Sequence, residues 1–240
     1  MTFNFHTDSA LNISWAKGAR KLAIASTAAI MLAACGGNDT ATPTTGSSSA
    51  ASEYEVAGDH AIGNVDAKAV VVEYASVVCA ACANWHNTVY PEFKKKYIDS
   101  GKVRFIFREF PTAPENLAQA GFLLANCANE DKFFENISLQ FKRQPQIFEA
   151  ARNGKVLQEY HALAKAAGMS VPEFEACLAN EEEIAKYKAV VQAGTDAGVT
   201  STPTFFINGV KEKTFTLESF DEKLAPILGE PLPAKDETEE

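Results

Sequence analysis

Ala69-Val70-Val71-Val72-Glu73-Tyr74-Ala75-Ser76-Val77-Val78-Cys79-Ala80-Ala81-Cys82 is the stretch on which the fold turns. Its first half is small, apolar and β-branched, as in a strand buried on both faces. Its second half places two thiols two residues apart, and the residues that follow take helical periodicity. A Cys-x-x-Cys where a strand runs into a helix is a constellation that makes and breaks disulfides. The first thiol then sits at the positive end of the helix dipole, which favours its thiolate.

Downstream, Trp85, Val89, Phe93 and Tyr97 form an apolar helical stripe that Pro91 should kink. Lys94-Lys95-Lys96 reads as the solvated face of that helix. Lys102 to Glu109 alternates as a strand, with Val103, Phe105 and Phe107 on one side, and Pro111 and Pro114 end the unit. From Glu115 to about Val199 there is no strand signal. Leu117, Ala120, Leu124 and Cys127 recur at helical spacing, as do Phe133, Ile137 and Phe141, then Leu157, Tyr160, Leu163, Ala164 and Ala167. Ser170 is placed to cap a helix whose first turn holds Pro172 and Glu173. Thr204 to Ile207 is again a strand, and Asn208-Gly209 is a hairpin turn signal that makes Val210 to Phe215 its partner. Leu217 to Leu228 is amphipathic, and Asp236 to Glu240 is an acidic tail expected to be disordered. Upstream, Gly58 to Lys68 reads as a loop, and the folded domain is expected to start near Glu53.

The N-terminus reads as a targeting segment. Lys17, Arg20 and Lys21 precede an apolar run, Leu22 to Ala34, that is short for a membrane span and right for a signal peptide. The run ends in Leu32-Ala33-Ala34-Cys35-Gly36, which resembles a bacterial lipobox. That resemblance makes 1–34 a signal peptide and Cys35 a lipidated mature N-terminus. The alternative is ordinary cleavage at an alanine. Residues 35–52 then form a small, polar tether. Gly36, where an aspartate would favour inner-membrane retention, points to the outer membrane. Cleavage before Cys35 would remove three bases and one acid and take the net charge from −9 to −11. Without a basic cluster in the body of the chain, nucleic acid is not an expected partner.

The chain holds five cysteines. With Cys35 lipidated and Cys79 and Cys82 forming the redox pair, Cys127 and Cys177 remain. Export favours joining them in a structural disulfide. The alternative is two reduced, buried cysteines acting as small hydrophobes.

The order strand, Cys-x-x-Cys, helix, strand, helical block, strand, hairpin, helix resembles the DsbA family of exported thiol:disulfide oxidoreductases. Three segments carry the resemblance: Val72 to Cys82, Phe107-Arg108-Glu109-Phe110-Pro111, and Val199 to Gly209 with Thr202-Pro203. It implies an α/β thioredoxin fold with an inserted all-helical subdomain: 53–112 and 200–229 as the thioredoxin-like parts, 113–199 as the insertion and 230–240 as the tail. It implies that Cys79 is the exposed, reactive thiol and Cys82 its resolving partner. Pro203 would be a cis-proline facing the sulfurs, and Thr202 would offer backbone groups to an extended substrate. Glu73 would be a buried acid able to relay a proton to Cys82, or else a solvated or salt-bridged strand-end acid. The family's best-known member has Pro-His between its cysteines; Ala80-Ala81 here removes that imidazole, so thiolate stabilisation should be weaker.

The resemblance implies a dithiol oxidase of cysteine-containing exported proteins, facing the periplasm on a lipid anchor, reoxidised by a membrane partner and needing no cofactor. Three alternatives stand beside it. A reductase or isomerase of the same fold is one; residues 36–52 are too few for the dimerisation domain that isomerases usually carry. A metal-binding protein using Cys79, Cys82 and His86 is the second, although His86 is expected on the helix flank. A non-catalytic surface lipoprotein is the third.

Overall fold

The computed structural model describes residues 53–232. The signal-like segment, Cys35, the tether and the acidic tail from Asp236 lie outside the described residues. Five strands form one sheet: β1 (His60–Ile62), β2 (Ala69–Ala75), β3 (Val103–Glu109), β4 (Thr204–Ile207) and β5 (Val210–Glu212), in the order β1-β3-β2-β4-β5. β2 pairs with β3 in parallel and with β4 antiparallel, while β1 and β5 close the two edges antiparallel. Every residue of β2 is buried, as its apolar run requires of a central strand.

Nine α-helices are described: α1 (Ala80–Thr88), α2 (Tyr90–Phe93), α3 (Glu115–Cys127), α4 (Phe133–Lys142), α5 (Gln144–Arg152), α6 (Val156–Ala166), α7 (Val171–Leu178), α8 (Glu181–Asp196) and α9 (Leu217–Leu228). Helices α3 to α8 are the inserted block between β3 and β4. Among the described residues, no helix is long and apolar enough to cross a membrane.

Strand alternation sends Val71, Ala75, Phe105, Phe107, Phe205 and Ile207 into the larger core, and Val70, Val72, Tyr74 and Ile106 into a smaller one on the other face. Trp85 of α1 is the hub of the larger core, with its ring centroid 4.8 Å from Phe205, 5.6 Å from Tyr90 and 5.9 Å from both Phe93 and Phe220. Burying an aromatic of this kind contributes about 1.5–3 kcal/mol. Ser170 and Glu173 form a capping box at α7, as their spacing indicates.

Three local expectations need correction. His60 to Ile62, read as loop, is an edge strand; it is too short to show alternation, and its partner β3 supplies the order. The helix after the cysteines is interrupted at Val89, whose backbone stays helical and keeps its bond to the Trp85 carbonyl, so the kink expected of Pro91 is found there. α1 ends at Thr88, and Pro91 sits in the first turn of α2, where its missing N–H costs nothing. A π-helical turn, Lys94–Ile98, then carries the chain toward β3. The last strand stops at Glu212 rather than Phe215, because β5 pairs with only three residues of β4. Leu157, counted in the apolar stripe of α6, is exposed.

Candidate active site

Cys79 is the N-cap of α1, with extended backbone (φ −83°, ψ 121°), and its Sγ accepts from the Cys82 backbone N–H at 3.3 Å. A thiol thus occupies a capping place usually held by Ser, Thr, Asn or Asp. The same sulfur lies 3.4 Å from the Thr202 carbonyl oxygen. Thr202 and Pro203 are joined by a cis peptide bond immediately before β4. The site is therefore built where the C-terminal end of β2, the start of α1 and the entry to β4 meet.

The two thiols are chemically unequal. Cys79 is partly exposed and Cys82 is fully buried, and both are free. The Cys79 pKa is lowered to about 6, chiefly by its contact with the Cys82 thiol and also by Thr202 and the N–H groups of Cys82 and Ala81, against an opposing desolvation. Burial pushes the Cys82 thiol strongly upward, and Cys79 and Glu73 push the same way. With a pKa near 6, about nine in ten Cys79 side chains are thiolate at pH 7. Because this folded-state pKa is depressed, the thiolate's contribution to the stability of the reduced protein is fully present above the unfolded thiol range. It is lost as pH falls toward 6.

Residues outside the Cys-x-x-Cys fix its loop. The side-chain amide of Gln144, at the start of α5, donates to the carbonyls of Val77 (2.9 Å) and Cys79 (3.0 Å). Ser76 Oγ, buried beneath the loop, accepts from the N–H groups of Val78 (3.4 Å) and Thr112 (3.2 Å). Gly121 of α3 lets the insertion close on this loop: a Cβ there would meet Val77 Cγ2 at 2.8 Å and collide with the Gln140 side chain. Gln144→Leu is expected to leave buried carbonyls unpaired, to cost about 1–3 kcal/mol, and to raise the Cys79 pKa above 6 as the cap loosens. The pH dependence of Cys79 alkylation, with urea unfolding alongside, checks both; an unchanged alkylation profile contradicts the role.

Glu73 is not a solvated strand-end acid. It is fully buried in β2, and its Oε2 lies 2.8 Å from His86 Nε2. His86 is not on the helix flank either; its side chain is 3% exposed and faces the sheet. Among the described residues, no three His, Cys, Asp or Glu side chains converge as a metal site. With Nε2 against Glu73, His86 gives the Cys79–Cys82–His86 ligand set no support. Cys127 and Cys177 are joined by a disulfide with Cα atoms 6.2 Å apart, tying the end of α3 to α7. Gln144 carried no motif in the sequence, since its carbonyl partners are distant in the chain; Ser76 lies within the deciding stretch, but its bond to the Thr112 N–H joins residues 36 apart.

A family model described as thioredoxin matches residues 55–225. The chain belongs to that family. It is 32% identical over 179 residues to a protein of Rickettsia bellii named, provisionally, as a protein-disulfide oxidoreductase, a match covering 72% of this chain and 65% of the relative. The chain thus spans a little under two thirds of the length of such relatives. Among solved structures, α-DsbA1 of Wolbachia pipientis superposes with a TM-score of 0.66 at 25% identity, covering 72% of this chain and 92% of that one. Oxidised BdbD of Bacillus subtilis gives 0.63 at 20% identity, with 72% and 94% covered. The fold is the DsbA-like form of the thioredoxin fold, whose helical insertion corresponds here to α3–α8.

Proposed function

We propose that this chain is a thiol:disulfide oxidoreductase that oxidises dithiols in cysteine-containing exported proteins. The observation that carries this reading is the asymmetry of the pair: an accessible sulfur that caps α1, with its pKa lowered, beside a fully buried sulfur whose pKa burial raises. A substrate thiolate attacks Cys79 Sγ in the oxidised protein; the Cys79–Cys82 bond breaks, and its electron pair goes to Cys82 Sγ, which takes a proton. The substrate's second thiolate then attacks the substrate sulfur of the mixed disulfide, and Cys79 leaves as thiolate. The substrate loses two electrons and the protein gains them. The groups that hold the Cys79 thiolate make that leaving step favourable. Thr202 and Pro203 line the substrate side of Cys79, with the Thr202 backbone available to an extended peptide. Glu73 serves as the buried acid for Cys82.

A membrane partner that accepts the electrons completes the cycle, and Cys35 carries the lipid that holds the domain at the envelope, the outer membrane being favoured. The reductase direction is the second reading, and one observation favours it: no side chain of Ala80-Ala81 adds to the thiolate's stabilisation. A Cys79 pKa near 6 falls between those of thioredoxin (about 7) and DsbA (about 3.5). The test is single-turnover oxidation of a reduced, unfolded protein by the oxidised chain, read as loss of substrate thiols; no loss of thiols contradicts the proposal.

A further inference from the structure

Cys82 and His86 stand four residues apart on α1, so their side chains leave the helix on one face. Glu73 rises to that face from β2, and its Oε2 meets His86 Nε2 at 2.8 Å with both side chains buried. The imidazole stacks on Phe141 of α4, with centroids 4.2 Å apart and planes 20° from parallel. Phe107 of β3 lies edge-on at 6.1 Å, and Trp85 and Tyr90 pack beside it at 5.0 and 4.9 Å. The ionisable groups about the ring are therefore Glu73 from β2, Tyr90 from α2 and Cys82 on its own helix; α4 and β3 contribute only phenyl rings. Glu73 Oε1 and His86 Nδ1 are buried without a hydrogen-bond partner. A His–carboxylate pair inside an aromatic cage is costly to keep, and packing alone would be served as well by two apolar side chains. The negative charge of Glu73 reaches the Cys82 sulfur and helps hold its proton in place.

We propose that His86 is the positioning residue for the proton of Cys82: it holds Glu73 so that the pair keeps one exchangeable proton beside the buried sulfur. This rests on the thiol–disulfide reading above. In the oxidised protein the pair carries one transferable proton across the contact between Glu73 Oε2 and His86 Nε2. When an incoming thiolate bonds to Cys79 and the electron pair of the broken S–S bond goes to Cys82, the pair gives that sulfur its proton. A carboxylate accepting from a neutral imidazole remains. In the reverse step, Cys82 returns the proton to the pair as its sulfur attacks Cys79 in a mixed disulfide, and the electron pair leaves on the departing sulfur. A lone carboxylate in this cage would take up a proton and keep it, and so would be unable to accept one from Cys82.

The experiment mixes the reduced full chain with oxidised glutathione and follows the products by rapid acid quench and mass spectrometry between pH 5 and 9. Formation of the Cys79–glutathione mixed disulfide is the first step; its resolution by Cys82 is the second. His86→Phe is expected to lower the ratio of second-step to first-step rate by about tenfold or more at pH 7 and to shift the second step's pH profile toward alkaline values. His86→Gln keeps an N–H for Glu73 but no exchangeable proton, and it is expected to lose rate in the same direction with a flattened profile. A ratio within about twofold of wild type in either variant, with the wild-type pH profile, overturns the proposal. If the phenylalanine variant does not fold, the glutamine variant decides. A wild-type chain that forms no mixed disulfide at all would refute the thiol–disulfide reading instead.

Discussion

Cys79→Ser is expected to abolish oxidation of a reduced protein substrate, whereas Cys82→Ala is expected to accumulate the substrate as a mixed disulfide. The two outcomes differ because the two sulfurs do different work. Cys79 is the accessible sulfur, capping α1 and held as thiolate, and a serine oxygen at this position neither accepts attack by a thiolate nor leaves as a stable anion. Activity should fall to background, beyond the factor of about 10²–10⁴ typical of removing a single acid–base group. Cys82 is fully buried, so substrates reach Cys79 first. Without Cys82, no internal thiol can reverse a disulfide between Cys79 and the substrate, and the adduct persists until the substrate's second thiolate attacks it. Non-reducing electrophoresis of Cys82→Ala incubated with a mixed-disulfide donor and substrate should show the adduct, and Cys79→Ser should show none. Residual substrate oxidation by Cys79→Ser at the wild-type rate would contradict the assignment.

The second large effect concerns stability. The Cys127–Cys177 bond closes a loop with a sequence separation of 50 residues and ties α3 to α7 inside the insertion. In the chain-entropy account a loop of this length contributes about 4 kcal/mol by restricting the unfolded chain. The double variant Cys127→Ala/Cys177→Ala is expected to lose up to that amount in urea unfolding, with the redox site intact. A loss below about 1 kcal/mol would show that the reduced helices already hold this geometry. Since α3 also carries Gly121 against the Cys-x-x-Cys loop, the variant separates the insertion's stability from its support of the site.

The strand-to-helix junction at Cys79 was legible because three local signals agree there: a β-branched run, two thiols at fixed spacing, and a helical stripe. The capping box at Ser170 and the bounds of α9 were legible for the same reason, since capping chemistry and periodicity are local. His60–Ile62 was not, because a three-residue edge strand is defined by its partner. Leu157 was misplaced because α6 buries a narrower face than its apolar content suggests.

In the site, the two cysteines and Thr202-Pro203 could be named from sequence, whereas their supports could not. Gln144 reaches back 65 and 67 residues to two carbonyls, a contact without a sequence pattern. His86 does carry a local signal. A residue four positions after a buried resolving cysteine shares its face, and so must be buried against the sheet that carries Glu73.

The reduction potential of the Cys79–Cys82 couple, measured by equilibration with glutathione, tests the central claim most directly. A Cys79 pKa near 6 stabilises the reduced form more than in thioredoxin and less than in DsbA. A potential between about −270 and about −120 mV is expected, oxidising enough to pass the disulfide to a substrate dithiol. A value at or below about −270 mV would contradict it, and electrons would then flow from this protein to its substrates.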